Sequence, residues 1–91
     1  MIVDVHAHIG HHPLMDFKQT PEEVLDAMDR FGIDVTFVMP FPSMKTKAVN
    51  DAIAETVKKN PGRLVGFACI DIMADDAPEE IERIVGLGLK G

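Results

Sequence analysis

The chain has 91 residues and a mass of 10.0 kDa, the size of one small domain at most. Hydrophobic residues make up 46% and charged residues 26%, a globular composition with no apolar run approaching the ~20 residues of a membrane span. A net charge of −6 and the lack of Trp and Tyr argue against nucleic acid, an anionic membrane or base stacking, and a single Cys without a signal peptide suits the cytoplasm.

Ile2 to Ile9 is an alternating, β-branched run that predicts a strand. Simple alternation puts Val3, Val5, Ala7 and Ile9 on one face and Asp4, His6 and His8 on the other. Gly10 to Gln19 reads as a polar, irregular loop carrying His11 and His12. Thr20-Pro21-Glu22-Glu23 starts a helix with a capping box, Val24, Leu25, Met28 and Phe31 form its stripe, and Gly32 stops it. Ile33 to Met39 is a second strand, ended by Pro40 and Pro42. A second helix carries Ala48, Val49, Ala52, Ile53 and Val57, with Lys45, Lys47, Lys58 and Lys59 as a solvated face, and breaks at Asn60-Pro61-Gly62. Leu64 to Ile70 is a nearly continuous apolar strand, expected to be buried on both sides. Asp76, with Glu79 placed for a capping box, opens a third helix with Ile81, Ile84 and Val85 as its stripe. Gly86 and Gly88 close it, and Leu89-Lys90-Gly91 begins a fourth strand.

Strand and helix alternate three times, which predicts parallel strands with right-handed crossovers. A (β/α)8 TIM barrel runs to ~250 residues, so three of its units need about 93. A doubly wound sheet would want its central strands apolar on both faces, and the polar face of the first strand speaks against that. Residues 1–91 are therefore expected to be the first three βα units of a TIM barrel, an N-terminal segment of one barrel domain. Such a segment has an uncovered inner face and open edges, which favour a homo-oligomer or association through the open barrel edge.

His6-Ala7-His8 is the feature that carries chemistry. Residues i and i+2 of a strand point the same way, ~6–7 Å apart at Cα, so two imidazoles can converge on one metal ion at ~2.0–2.1 Å. A strand's C-terminal end is where barrel enzymes build their sites. By itself a His-X-His triplet is a weak signal, and two ordinary histidines at a strand end is the plain alternative. His11 and His12 overlie the presumed site as candidate substrate-binding residues, although solvated loop histidines are commoner. Asp4, deeper on the expected ligand face, is a candidate for orienting a ligand rather than binding metal. Ser43, Asp71 and Cys69 are read as turn, cap and packed-core residues.

Taken together, Ile2-Val3-Asp4-Val5-His6-Ala7-His8, Phe31-Gly32-Ile33-Asp34 with the strand to Pro40, Asn50-Asp51, Asn60-Pro61-Gly62-Arg63-Leu64-Val65-Gly66-Phe67-Ala68, and Glu79-Glu80-Ile81-Glu82-Arg83 leading to Gly88-Leu89-Lys90-Gly91 resemble the amidohydrolase superfamily, specifically the amidohydrolase-related family. The polymerase-and-histidinol-phosphatase type and the TatD-type deoxyribonucleases are weaker matches past residue 30. The resemblance implies that His6 and His8 ligate a divalent metal, commonly zinc, with manganese or iron as alternatives. It implies a metal-dependent hydrolase whose activated water attacks an amide, ester or lactone carbonyl of a small molecule, or a non-oxidative decarboxylase of the same family. That family completes its site with histidines and an aspartate from later strands, so the 91 residues alone are expected to be inactive. The non-catalytic alternative is a truncated α/β module that binds a partner or metal.

Overall fold

The β-branched start of the chain forms β1 (Val3–His11) in the computed structural model, which describes residues 1–91. β2 (Lys18–Gln19) folds back onto it, followed by α1 (Pro21–Phe31), β3 (Val35–Pro40), α2 (Thr46–Lys59), β4 (Leu64–Gly66) and α3 (Ala77–Gly86). The sheet order is β2-β1-β3-β4; β3 pairs parallel with both β1 and β4, and β2 antiparallel with β1. The molecule is thus a small α/β fold with one mixed sheet and three helices. No helix is long and apolar enough to cross a membrane.

The parallel strands are neighbours in chain order, so right-handed crossovers place every helix on the same side. One core results. Val24 and Met28 of α1, Ile53 and Ala54 of α2 and Ile84 of α3 pack with Ile9, Val38, Leu64 and Leu89 from the sheet side. A doubly wound arrangement, with helices on both faces, is not what this chain builds. Its thinnest dimension, 18 Å, has room for one helical layer on one sheet.

Burial on β3 alternates, with Thr36, Val38 and Pro40 buried and Val35, Phe37 and Met39 partly exposed. β4 repeats this with buried Leu64 and Gly66 around partly exposed Val65. The expectation that this third predicted strand is buried on both sides is therefore corrected, because only one side has helices to cover it. β4 is also shorter than the apolar run. Past Gly66 the chain keeps one bond to β3, from Phe67 N–H to Val38 O, and then turns to the C-terminal residues. Lys90 N–H donates to Gly66 O at 2.8 Å and Ala68 N–H to Gly91 O at 2.7 Å, so Leu89–Gly91 lies along the free edge of β4.

The helix ends separate local from tertiary control. At α1, Thr20 accepts from Glu23 N–H and the Glu23 carboxylate accepts from Thr20 N–H, the predicted capping box; Gly32, at φ 69°, closes the helix. At α3 the expected capping box fails. The Asp76 carboxylate accepts from Lys47 Nζ at 2.7 Å and caps nothing. Of the predicted stripes, Phe31 is 68% exposed and Val85 66%, with Ile81 also exposed, because these positions face the flanks of the helical layer where no further helix stands.

Candidate metal centre

Two irregularities in β1 set the geometry of this end of the sheet. The pairing with β3 aligns Asp4 with Thr36 and Ala7 with Val38, three steps on β1 against two on β3. Val5 and His6 occupy this bulge, and an extra residue reverses the facing of everything after it. Asp4 therefore stands on the helix-facing row with Thr36, while His8, opposite Met39, stands on the open row. The expectation that Asp4 shares the histidine face, and that Val3 and Val5 share a face with Ala7 and Ile9, is corrected by this slip: Val3 pairs with Val35 on the open row, and Val5 is 64% exposed. Asp4 still touches the pair through the backbone, its Oδ1 accepting from His6 N–H at 3.1 Å.

The second irregularity is the hairpin into β2. Gly10, at φ 119°, adopts a conformation that side chains resist, and Gly10 and His11 pair with Gln19 and Lys18. Gln19 Nε2 donates to His8 O at 2.7 Å. The two ends of the expected loop thus pair as a short antiparallel ribbon that pins the histidine-bearing end of β1, with residues 12–17 irregular between them.

His6 and His8 meet at their Nε2 atoms, 3.1 Å apart, with ring centroids 4.9 Å apart in an edge contact. His8 Nδ1 lies 3.0 Å from Pro40 O, an acceptor only, so Nδ1 carries the proton and Nε2 presents its lone pair. Phe41 stacks on the His8 ring at 4.7 Å with an interplanar angle of 13° and fixes its orientation. Two donors on one ion at ~2.0–2.1 Å and tetrahedral angles stand ~3.3 Å apart, so the observed separation fits shared ligation. The same contact is a hydrogen bond from His6 Nε2–H when no ion bridges the rings. No group of three or more His, Cys, Asp or Glu side chains is assembled anywhere in the chain. The pair therefore has the donor chemistry of a metal site and two of the three or more protein ligands that such sites use.

A cavity of about 380 Å³ lies beside the pair, lined among others by Asp4, Gln19, Glu23, Thr36 and Phe41. Thr36 Oγ1, buried there, has no hydrogen-bond partner. His11 and His12 do not line this cavity. His11 stands exposed, 4.0 Å from Asp16. His12 Nδ1 accepts from the N–H groups of Leu14 and Met15, folding its own loop, and its ring meets the edge of Phe41 at 5.4 Å. Ser43 and Asp71 accept from the N–H groups of Lys45 and Met73, as turn residues do. The residues that sequence reasoning missed are Pro40 and Phe41. Pro40 reads only as a strand terminator, yet its carbonyl sets the His8 tautomer. The one available signal was an aromatic residue directly after the neighbouring strand.

Among solved structures, the chain superposes on a probable 2-pyrone-4,6-dicarboxylic acid hydrolase from Acinetobacter baumannii, crystallised with citric acid bound. The TM-score is 0.69 at 18% identity, over 99% of this chain and 36% of the other. The chain thus spans about a third of that hydrolase's length. No protein-family model and no curated protein matches the sequence. At this identity the likeness is one of fold.

Proposed function

We propose that the chain is the N-terminal wall of an amidohydrolase-type barrel and supplies two ligands of a divalent metal used in hydrolysis of a small molecule. The observation that carries the reading is the convergence of His6 and His8 Nε2 at 3.1 Å, with His8 Nδ1 committed to Pro40 O. The fold likeness to a hydrolase supports it over nearly the whole chain. Zinc suits the imidazole donors best, with manganese and iron as alternatives. Bound there, a divalent ion would acidify a water to a pKa of ~7 and polarise a carbonyl of an amide, ester or lactone.

The chain's own residues do the positioning. Pro40 O and Phe41 hold the His8 ring, as partners beyond the ligands do in metal sites generally. Asp4 steadies the His6 backbone inside the bulge. Phe17, whose ring contacts Phe41 at 5.9 Å, and His12 form an aromatic rim past which a small substrate would enter. On this reading the remaining ligands and a proton-handling carboxylate are supplied by other parts of the barrel, since the described residues bring no third ligand to the pair.

Calorimetric titration with Zn²⁺ tests the assignment. The chain is expected to bind zinc, and His6→Ala with His8→Ala to abolish that binding. Phe41→Ala is expected to weaken it by ~10-fold or more, the usual effect of removing a supporting contact. Zinc affinity unchanged in the double variant overturns the reading.

A further inference from the structure

We propose that the substrate of the histidine site carries a neutral apolar body, held in a second cavity among the loops that follow β1, β3 and β4. The proposal deepens the metal-hydrolase reading and rests on it for calling the occupant a substrate. Binding in the cavity itself is testable without that reading.

The cavity measures about 990 Å³, at the upper end of the range for pockets that hold a drug-sized molecule. Pro13 and Leu14 from the first loop, Pro42 and Met44 from the second, and Cys69 and Ile70 from the third form its apolar walls. No strand residue lines it, so it owes nothing to the sheet's edges or to its bare face.

It adjoins the histidine pair through neighbours in sequence. Phe41, which stacks on His8, lines the cavity beside the pair, and Pro42 lines this one. His12 meets the edge of Phe41 at 5.4 Å, and Pro13 and Leu14 continue from it into the wall. The contact between His12 and Phe41 is therefore the partition between the two compartments. A molecule with its carbonyl end at the imidazoles has this second compartment directly past that partition.

The exposed side chains say what the compartment takes. After the terminal Met1, the four most exposed large hydrophobic residues are Met44 at 96%, Leu14 at 90%, Met73 at 86% and Ile72 at 83%. All four stand on these three loops, at one end of the molecule. Scattered apolar residues on a surface are ordinary, but such a concentration around one cavity marks a site that gains by being covered. Methionine suits the task, because its unbranched thioether adapts to the shape it meets. The charges in the wall cancel. Lys47 Nζ is paired with the Asp76 carboxylate at 2.7 Å, and the other two charged residues, Lys45 and Asp71, are of opposite sign. A wall with no net charge has no field to draw in an anion, so the occupant it fits is neutral.

Cys69, the only cysteine of the chain, lines the cavity and serves as its reporter. In the 91-residue chain, γ-decalactone, a neutral lactone with an alkyl tail, is expected to slow alkylation of Cys69 by iodoacetamide. Citrate at the same concentration is expected to leave the rate unchanged. Leu14→Ser combined with Met44→Ser is expected to weaken the lactone's protection about tenfold or more, and Met44→Leu alone to retain it. Both side chains stand in solvent, so these substitutions spare the core. Should the thiol react too slowly to follow, the methyl NMR shifts of Leu14 and Met44 in the same two titrations make the comparison. No response to the lactone, an equal response to citrate, or a response indifferent to the double substitution each overturns the proposal. Zinc titration of the same samples separates it from the metal assignment. Lactone binding without zinc binding leaves the cavity a ligand site and overturns the metal reading, and zinc binding without lactone binding does the reverse.

Discussion

Asn50, fully buried on α2, donates to Cys69 O at 2.9 Å and to Glu80 Oε1 at 3.1 Å, and accepts from Cys69 N–H at 2.8 Å. It ties the chain leaving β4 to both neighbouring helices. The sequence marks Asn50 only through the resemblance at Asn50-Asp51, and the packing of α3 over α2 creates its role. Glu80, also buried, accepts from Arg83 Nε at 2.7 Å and Nη2 at 2.9 Å, and Arg83 also donates to Asp51. Arg83 first, and then Asn50, hold the Glu80 carboxyl below its ordinary value against the opposing effect of burial. A carboxyl lowered in the folded state adds stability that is complete above its ordinary value and vanishes as pH falls through the lowered one. Glu80→Gln is therefore expected to flatten the loss of stability below about pH 4, measured by urea unfolding across the acid range. Thr36 carries the opposite lesson. Its buried Oγ1 has no partner, so Thr36→Val is expected to leave stability unchanged or raise it by up to about 1 kcal/mol in the same assay.

At the scale of elements, local chemistry was legible and register was not. The α1 start and stop follow from Thr20, Pro21, Glu23 and Gly32, which act within one helical turn. The β1 bulge follows from nothing local: Asp4-Val5-His6-Ala7 alternates cleanly, and the slip exists only in relation to β3. It moves Asp4 off the histidine face while leaving the histidines together. Asp76 shows the same limit, its carboxylate drawn from a cap to Lys47 on another element. The strand-to-helix approach at β4 has a sharper signature. A Cβ on Gly66 would lie 2.5 Å from Leu89 Cδ2 and 2.9 Å from Val57 Cγ2. Gly66→Ala is expected to destabilise by about 1–3 kcal/mol, read as a lower urea midpoint, because α2 and the terminal segment must both retreat.

For the whole molecule, the strand-helix alternation and ~30-residue unit foretold parallel strands with helices on one side, which β1, β3 and β4 and the core bear out, while the antiparallel β2 was not foreseen. The exposed flanks at Phe31 and Val85 were hidden because a helical stripe records which residues want cover, not whether a neighbour supplies it. Only 14 of the 91 residues are buried, because the sheet has helices on one face alone. The one-layer build also bears on what the imidazole pair does when the slab is alone. With a single wall, an ion taken up there would sit in bulk dielectric, its field screened by the surrounding solvent and its exchange unhindered. Enclosure by an opposing wall would strengthen the field at the two rings and shut bulk water out.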